Sequence, residues 1–386
     1  MERLSGKLAA SSCEKYYSHA TILSLNRYCK SPFNNRNCVL LFYTCLMFHH
    51  VLIPLLAAVF LAINMGGTSI SPSFSAAYGS NVIRRSMIPG LFGIMVFLGA
   101  MIAGKATAAT LGKDLIHPDL MNWILVTIIL GSVGITLFIA NILGVPQSNV
   151  QTTVFAISAP AAYFHQMNTH KLFVEILPTW FIAPLLSFSI CFLIGKYIYT
   201  PIRKKGYLTY GQLSQHPVVK VIIVVMSLYV AFSIGANNVA NAVGPIASMI
   251  SHELQLPFEG NGFSIVMVLA TLVVAPNFAI GASVLGSKGL ENTGKGIFLF
   301  GPFEAIAISF VTASLLLISS SRGIPTSLVQ LNAGAIIGIG VARLGAKNIF
   351  RKTSVNKFFV VWAIAPIIAF LLSLTVTYIV DKLGFL

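Results

Sequence analysis

Gly144-Val145-Pro146-Gln147-Ser148-Asn149-Val150-Gln151 recurs further along the chain as Gly323-Ile324-Pro325-Thr326-Ser327-Leu328-Val329-Gln330. Five of the eight positions are identical and a sixth exchanges Val for Ile. Ahead of each copy lies a Gly/Asn-rich interruption that closes an apolar run. The first is Asn64-Met65-Gly66-Gly67-Thr68-Ser69 and the second is Gly235-Ala236-Asn237-Asn238-Val239-Ala240-Asn241. Gly66 to Gly144 is 78 residues and Gly235 to Gly323 is 88. Two motifs kept in one order at nearly one spacing indicate a duplicated chain.

The surroundings of the repeat fix the class. Of 386 residues, 56% are apolar and 9% charged, and the mean hydropathy is +0.84. Soluble domains carry about 25% charged residues, so a cytosolic enzyme, a disordered protein and a nucleic-acid binder are excluded. The net charge of +15 comes from Lys and Arg clustered between apolar runs, where membrane proteins keep them. A helix crosses the hydrocarbon core with about 20 apolar residues. Spans are therefore expected at Cys38–Asn64, Ser86–Gly104, Asn122–Asn141, Ile176–Tyr199, Val218–Gly235, Phe263–Leu285, Ile297–Ser319 and Phe358–Val380. Four stretches punctuated by Gly, Ser, Asn and Pro remain: Gly66–Ser80, Val145–Phe164, Ala236–Ile250 and Ile324–Val341. These read as broken or re-entrant helices, which membranes tolerate only where freed backbone groups are buried in protein or face a wet cavity.

The expected fold is thus all-α: a basic tail over residues 1–37, expected to be disordered, then transmembrane repeats over 38–205 and 206–386. Cys13, Cys29, Cys38 and Cys45 fit neither a metal spacing nor a disulfide framework, and the tail lacks the features of a signal peptide. Loop charges orient the halves. Arg84 and Arg85 follow the first interruption, whereas His252, Glu253 and Glu259 follow the second. Arg343, Lys347, Arg351 and Lys352 follow the second Pro-Ser motif, against His165, His170 and Lys171 after the first. Because cytoplasmic loops are rich in Lys and Arg, equivalent loops are expected on opposite sides. Inverted repeats of that kind hold substrate at their interface near the bilayer midplane.

The punctuated stretches carry donors and no charge. Thr68 and Ser69 stand in the first, Asn237, Asn238 and Asn241 in the third. The repeated octets and the residues just past them supply Ser148, Gln151, Thr152, Thr326, Ser327 and Gln330. Proline ahead of Ser148 and Ser327 suits a helix start. A helix that begins inside the membrane aims free N–H groups and a positive dipole end inward, which is an anion site. Glu304 is the clearest intramembrane carboxylate, a candidate to carry a proton, ligate a cation or pair with one such as Lys105. No enzymatic signature and no Walker loop is present, so the protein is expected to be neither an enzyme nor an ATP-driven pump.

These residues resemble a known family. Gly235-Ala236-Asn237-Asn238-Val239-Ala240-Asn241-Ala242 is similar to the Gly-Ala-Asn-Asp-Val-Ala-Asn-Ala signature of the inorganic phosphate transporter (PiT) family. The two Gly-x-Pro-x-Ser segments resemble its Pro-Val-Ser-Thr-Thr hairpins. In the first half, Ala62-Ile63-Asn64-Met65-Gly66-Gly67 and Ala77-Tyr78-Gly79-Ser80 are most similar to the branch with bacterial sulfate permeases. The resemblance implies a secondary transporter of phosphate or a related oxyanion in the cell membrane, co-transporting Na⁺ or H⁺ without other cofactors, and often a homodimer. It gives anion binding to Ser148, Ser327 and their neighbours. The signature's acid is replaced by Asn238, and Gly67-Thr68-Ser69 stands where the family has Asn-Asp. Those acids resemble cation ligands, so their loss favours H⁺ over Na⁺. Local donor-only chemistry favours sulfate, and the family favours phosphate. The rival class is a passive anion channel. Asn64, with Asn237, Asn238 and Asn241, is expected to shape the site or hold the cation.

Overall fold

Helices follow one another almost without loops, and in the computed structural model they are described over residues 35–79, 82–143, 147–204, 216–258, 261–286, 301–351 and 353–386. For 35–48, 203–204 and 353–361 only the backbone is described. The principal elements are α1 (Asn35–Gly79), α2 (Ile88–Ala103), α3 (Trp123–Leu143), α4 (Asn149–Tyr163), α5 (Leu177–Leu193) and α6 (Pro217–Asn238). They continue with α7 (Ala240–Glu253), α8 (Asn261–Val274), α9 (Pro276–Leu285), α10 (Pro302–Ser321), α11 (Leu328–Leu344) and α12 (Thr353–Lys382). Among the described residues extended pairing is limited to one isolated bridge, Ile116 with Met167. The fold is all-α. Residues Ile53–Leu386 form one compact unit, and the described part of the segment ending at Leu52 belongs to α1. The expected tail over 1–37 lies almost wholly outside the described residues, as does the boundary at 205/206.

Eight helical stretches among the described residues are long and apolar enough to cross a membrane. Their outer faces are greasy, with Ile102, Ile142, Phe181 and Leu269 each more than half exposed, while Asn237, Asn241, Thr152, Thr153 and Ser248 are fully buried. Lipid-facing apolar side chains around a polar interior are what a bilayer imposes. The protein is an integral membrane protein.

One of the two expected interruptions is absent and the other is present. The first crossing helix runs without interruption from His49 to Gly79. The fifth is interrupted at Val239, between the end of α6 at Asn238 and the start of α7 at Ala240, inside the expected Gly235–Asn241 stretch. Gly66 and Gly235 themselves are points of close helix approach. A methyl group on Gly66 would strike the Phe278 carbonyl of α9, and one on Gly281 would strike the Ile63 carbonyl of α1. In the same manner, Gly235 of α6 lies on the Val96 carbonyl of α2, and Gly99 on the Phe232 carbonyl. Small residues that let backbones touch are the main adhesive between membrane helices. Each contact joins one sequence half to the other with the same three-residue offset.

The last helices are exchanged in like fashion. α11 packs along α5, and α4 along α12. Gly334 meets the Pro184 backbone and Gly338 the Phe188 backbone, a register advancing in step, so α5 and α11 run side by side in the same direction. Ser187 of α5 donates to the Leu331 carbonyl at 2.8 Å, and Ser373 of α12 donates to the Ala156 carbonyl at 2.8 Å. Pro160 lacks the N–H that would otherwise bind Ala156, and the serine takes its place.

Candidate functional site

Both octets end in a helix start. Ser148 caps α4 with φ −88° and ψ 107°, and Ser327 caps α11 with φ −87° and ψ 111°. Each serine oxygen accepts the N–H three residues on, Gln151 at 3.2 Å and Gln330 at 3.4 Å. The cap is therefore the serine and not the proline: Pro325 stands two residues ahead of it, and Pro146 lies outside the described residues. Before the second cap, α10 ends in a Schellman turn. Ile324 N–H donates to the Ser319 carbonyl and Gly323 N–H to that of Ser320, with Gly323 at φ 69°, a conformation that costs glycine little. The hydroxyl of Thr110 fastens this turn by donating to the Gly323 carbonyl at 2.6 Å.

The two helix starts face one small cavity, about 20 Å³, together with Thr68, Ser69 and Pro72 of α1 and Asn238 of α6. Gln147, Asn149 and Val150 line it from the first octet, and Ser327, Leu328 and Val329 from the second. The N–H groups at the first positions of α4 and α11 have no intrahelical acceptor, so they present partial positive charge to this space. None of the lining residues is charged. The volume suits a water molecule and is too small for a tetrahedral oxyanion, so admitting one requires the helix starts to separate.

An amide network spans the cavity floor. Asn149 donates to Thr68 at 3.1 Å and Ser69 at 3.3 Å, and Asn238 donates to the same Ser69 oxygen at 3.2 Å. Ser69 and Asn238 each stand three residues after the glycine of their interruption, so equivalent positions of the two halves touch. Asn237 grips both sides of Thr326: Nδ2 donates to its carbonyl at 2.8 Å, and Oδ1 accepts its N–H at 3.2 Å. Asn241 donates to the Asn238 carbonyl at 2.9 Å, holding the turn at Val239. Several buried atoms around this network have no partner: Gln151 Oε1, Gln330 Nε2 and Oε1, and Asn241 Oδ1. Buried polar atoms without partners cost free energy, and these belong to the two Ser-capped helices and to the helix after the Val239 turn.

The expected site residues separate into groups. Ser327, Thr68, Ser69 and Asn238 line the cavity, whereas Ser148, Gln151, Gln330, Asn237 and Asn241 are buried but do not line it. Thr152 turns its hydroxyl back to the Ser148 carbonyl at 2.8 Å, and Thr326 its own to the Ile324 carbonyl at 3.1 Å. Both hydroxyls are thus directed at backbone carbonyls, a usual arrangement for threonine in a helix or turn. Asn64 bonds the Phe60 carbonyl and receives Asn141, away from the lining. Glu304 is buried but opens α10 rather than sitting mid-span; it accepts the Gly301 N–H at 2.8 Å and Arg343 at 2.6 Å. Its cationic partner is Arg343 of α11, not Lys105. Sequence reading passed over Gln147 and Asn149, although both lie inside the repeated octet that signalled the site.

Converging helix starts around a buried, uncharged, donor-rich cavity, enclosed by lipid-facing helices, define a membrane transporter. The phosphate transporter family model matches residues 65–373, and this chain belongs to that family. It is 31% identical to the sulfate permease CysP of Bacillus subtilis, over 85% of this chain and 86% of that one. It is 25% identical to a protein of Thermococcus kodakarensis assigned as a phosphate permease, over 84% of this chain and 96% of the other. Its fold matches a solved sodium-dependent phosphate transporter with a TM-score of 0.73 and 20% identity, covering 86% of this chain and 99% of that one.

Proposed function

We propose that this protein is a cation-coupled secondary transporter that carries an inorganic tetrahedral oxyanion, sulfate foremost, across the cell membrane. The observation that carries the reading is the pair of Ser-capped helix starts, one from each half, facing a single cavity with no charged lining residue. Fixed N–H donors and helix dipoles solvate an anion without the reorganisation that water would need. Sulfate has no proton at neutral pH and accepts from every donor. Hydrogen phosphate brings a proton of its own that needs an acceptor, and no carboxylate lines this cavity. The similarity to the Bacillus subtilis sulfate permease supports the same choice. Phosphate is the second reading, favoured by the family model and by the unpartnered Gln151 and Gln330 carbonyl oxygens, which could accept that proton.

The same missing carboxylate favours H⁺ over Na⁺ as the coupling ion, since hard cations are held by oxygen ligands that usually include acids. The reciprocal glycine contacts and the Ser69–Asn238 bond support two inverted halves meeting at the site. Uptake of radiolabelled sulfate and phosphate into proteoliposomes, under an imposed pH or Na⁺ gradient, tests the proposal. Saturable sulfate accumulation driven by an inward proton gradient is expected. Absence of accumulation of either anion under both gradients would refute it, and non-saturable flux indifferent to gradients would identify a channel.

A further inference from the structure

Trp180 touches both anion-facing elements at once. Its indole N–H donates to the Pro325 carbonyl, in the turn ahead of Ser327, at 2.9 Å. Its ring stacks on Phe155 of α4 with centroids 6.0 Å apart and planes at 23°. The side chain is 3% exposed. The sequence also marks this residue twice. Trp180-Phe181-Ile182-Ala183-Pro184-Leu185-Leu186-Ser187-Phe188 returns as Trp362-Ala363-Ile364-Ala365-Pro366-Ile367-Ile368-Ala369-Phe370, a third repeat on α5 and α12. The second copy reaches the same aromatic, since Phe370 sits edge-on to Phe155 at 6.3 Å.

An anion site built from backbone has a hazard: every N–H that faces the ligand belongs to a peptide chain whose carbonyls carry negative charge. The Pro325–Thr326 peptide is pinned at both ends, its oxygen by Trp180 and its N–H by Asn237. The tryptophan thus draws the Pro325 carbonyl towards α5, and its ring packs on the body of α4 at Phe155, about two turns past the Ser148 cap. We propose that Trp180 is a positioning residue that sets the orientation of the second anion-binding turn and its separation from the first. This rests on the oxyanion-transport reading for its consequence, though not for its geometry.

The test is Trp180→Phe in the full-length protein, which keeps an aromatic ring against Phe155 and removes the N–H, with Phe155→Leu as a second variant that removes the ring contact. Hydrogen–deuterium exchange reads the geometry without transport. Exchange of the amides over 324–330 is expected to rise about five- to tenfold in Trp180→Phe, the weight of one lost backbone hydrogen bond, with α8 unchanged. In proteoliposomes the KM for sulfate should rise about five- to tenfold while kcat changes by less than about twofold, because the turn is disordered before the anion binds. Phe155→Leu should accelerate exchange in the same segment. Unaltered exchange over 324–330 in both variants overturns the proposal, as does a fall in kcat at constant KM. Faster exchange in a protein that moves neither anion sustains the positioning role and rejects the transport reading instead.

Discussion

Ser148 and Ser327 were legible because a residue that caps a helix leaves a local trace, a proline shortly before it and a change of pattern after it. For Thr152 and Thr326 a one-dimensional pattern does not tell whether a hydroxyl points at a ligand or at a nearby carbonyl, four residues back for Thr152 and two for Thr326. Replacing Ser327 by Ala removes an N-cap, costing about 1 kcal/mol of helix stability, and a hydroxyl that lines the cavity. Ser327→Ala is therefore expected to lower sulfate kcat/KM at least about tenfold, whereas Thr152→Ser, which retains the internal hydroxyl bond, should stay within about twofold of wild type; initial-rate uptake distinguishes them. Asn238 faces the same cavity and donates to Ser69. A carboxylate there loses that donor and sets a negative charge against the anion. Asn238→Asp should abolish sulfate uptake at low Na⁺ and restore part of it at high Na⁺; uptake that ignores both charge and Na⁺ would contradict the uncharged-site argument.

At the scale of elements, most apolar spans lie close to their expected bounds, whereas the first, expected at Cys38–Asn64, crosses at His49–Gly79. The interruption expected at Asn64–Ser69 is absent, and the one at Gly235–Asn241 is present as the turn at Val239. Glycine is a breaker in water, where it frees the backbone, and a contact surface in lipid, where it lets helices meet. Composition alone cannot separate these roles; the partner carbonyls of Phe278 and Val96 lie more than a hundred residues away. Two substitutions expose the difference. Gly235→Val should prevent α2 and α6 from closing and lower the unfolding temperature sharply. Gly131 has open space around it on α3, and Gly131→Ala should be neutral or stabilise by up to about 1 kcal/mol; thermal unfolding in detergent measures both. Glu304 teaches the same lesson about distance. Its ion pair with Arg343 anchors the last turn of α11 to the first of α10, and the Arg343 guanidinium also lies over the Tyr199 ring at 5.5 Å. Removing one member of a buried pair typically costs about 3–5 kcal/mol, while replacing both by apolar residues costs far less. Glu304→Met should thus destabilise more than Glu304→Met combined with Arg343→Met, a ranking that unfolding curves of the two variants decide.

For the whole molecule, the repeat carried more than any single residue, because reciprocal contacts between halves follow once duplication is accepted. Neither half closes its own site: α4 leans on α12 and α11 on α5, so the halves are interlocked. Their relative insertion can be argued from contacts. Arg84 lies just ahead of α2, which rises about 24 Å over its sixteen residues at 1.5 Å each. Beyond the far end of α2, the His117 N–H donates to the Gln166 carbonyl and the Asn168 N–H to that of Leu115. Lys113 in the same region donates to the Phe258 carbonyl at 3.1 Å. The connection after α1 and the connection after α7, which are equivalent in the repeat, thus lie beyond opposite ends of α2. With Lys- and Arg-rich connections on the cytoplasmic side, Arg84→Cys and Lys347→Cys should react with a membrane-impermeant maleimide only from the cytoplasmic face. Leu254→Cys and Gln166→Cys should react only from the outside, each introduced into a background without the five native cysteines. Labelling of Arg84→Cys and Leu254→Cys from the same face would mean that the halves are inserted alike. The two Ser-capped helix starts would then no longer be related by an axis in the membrane plane, and the symmetric anion cage would lose its structural basis.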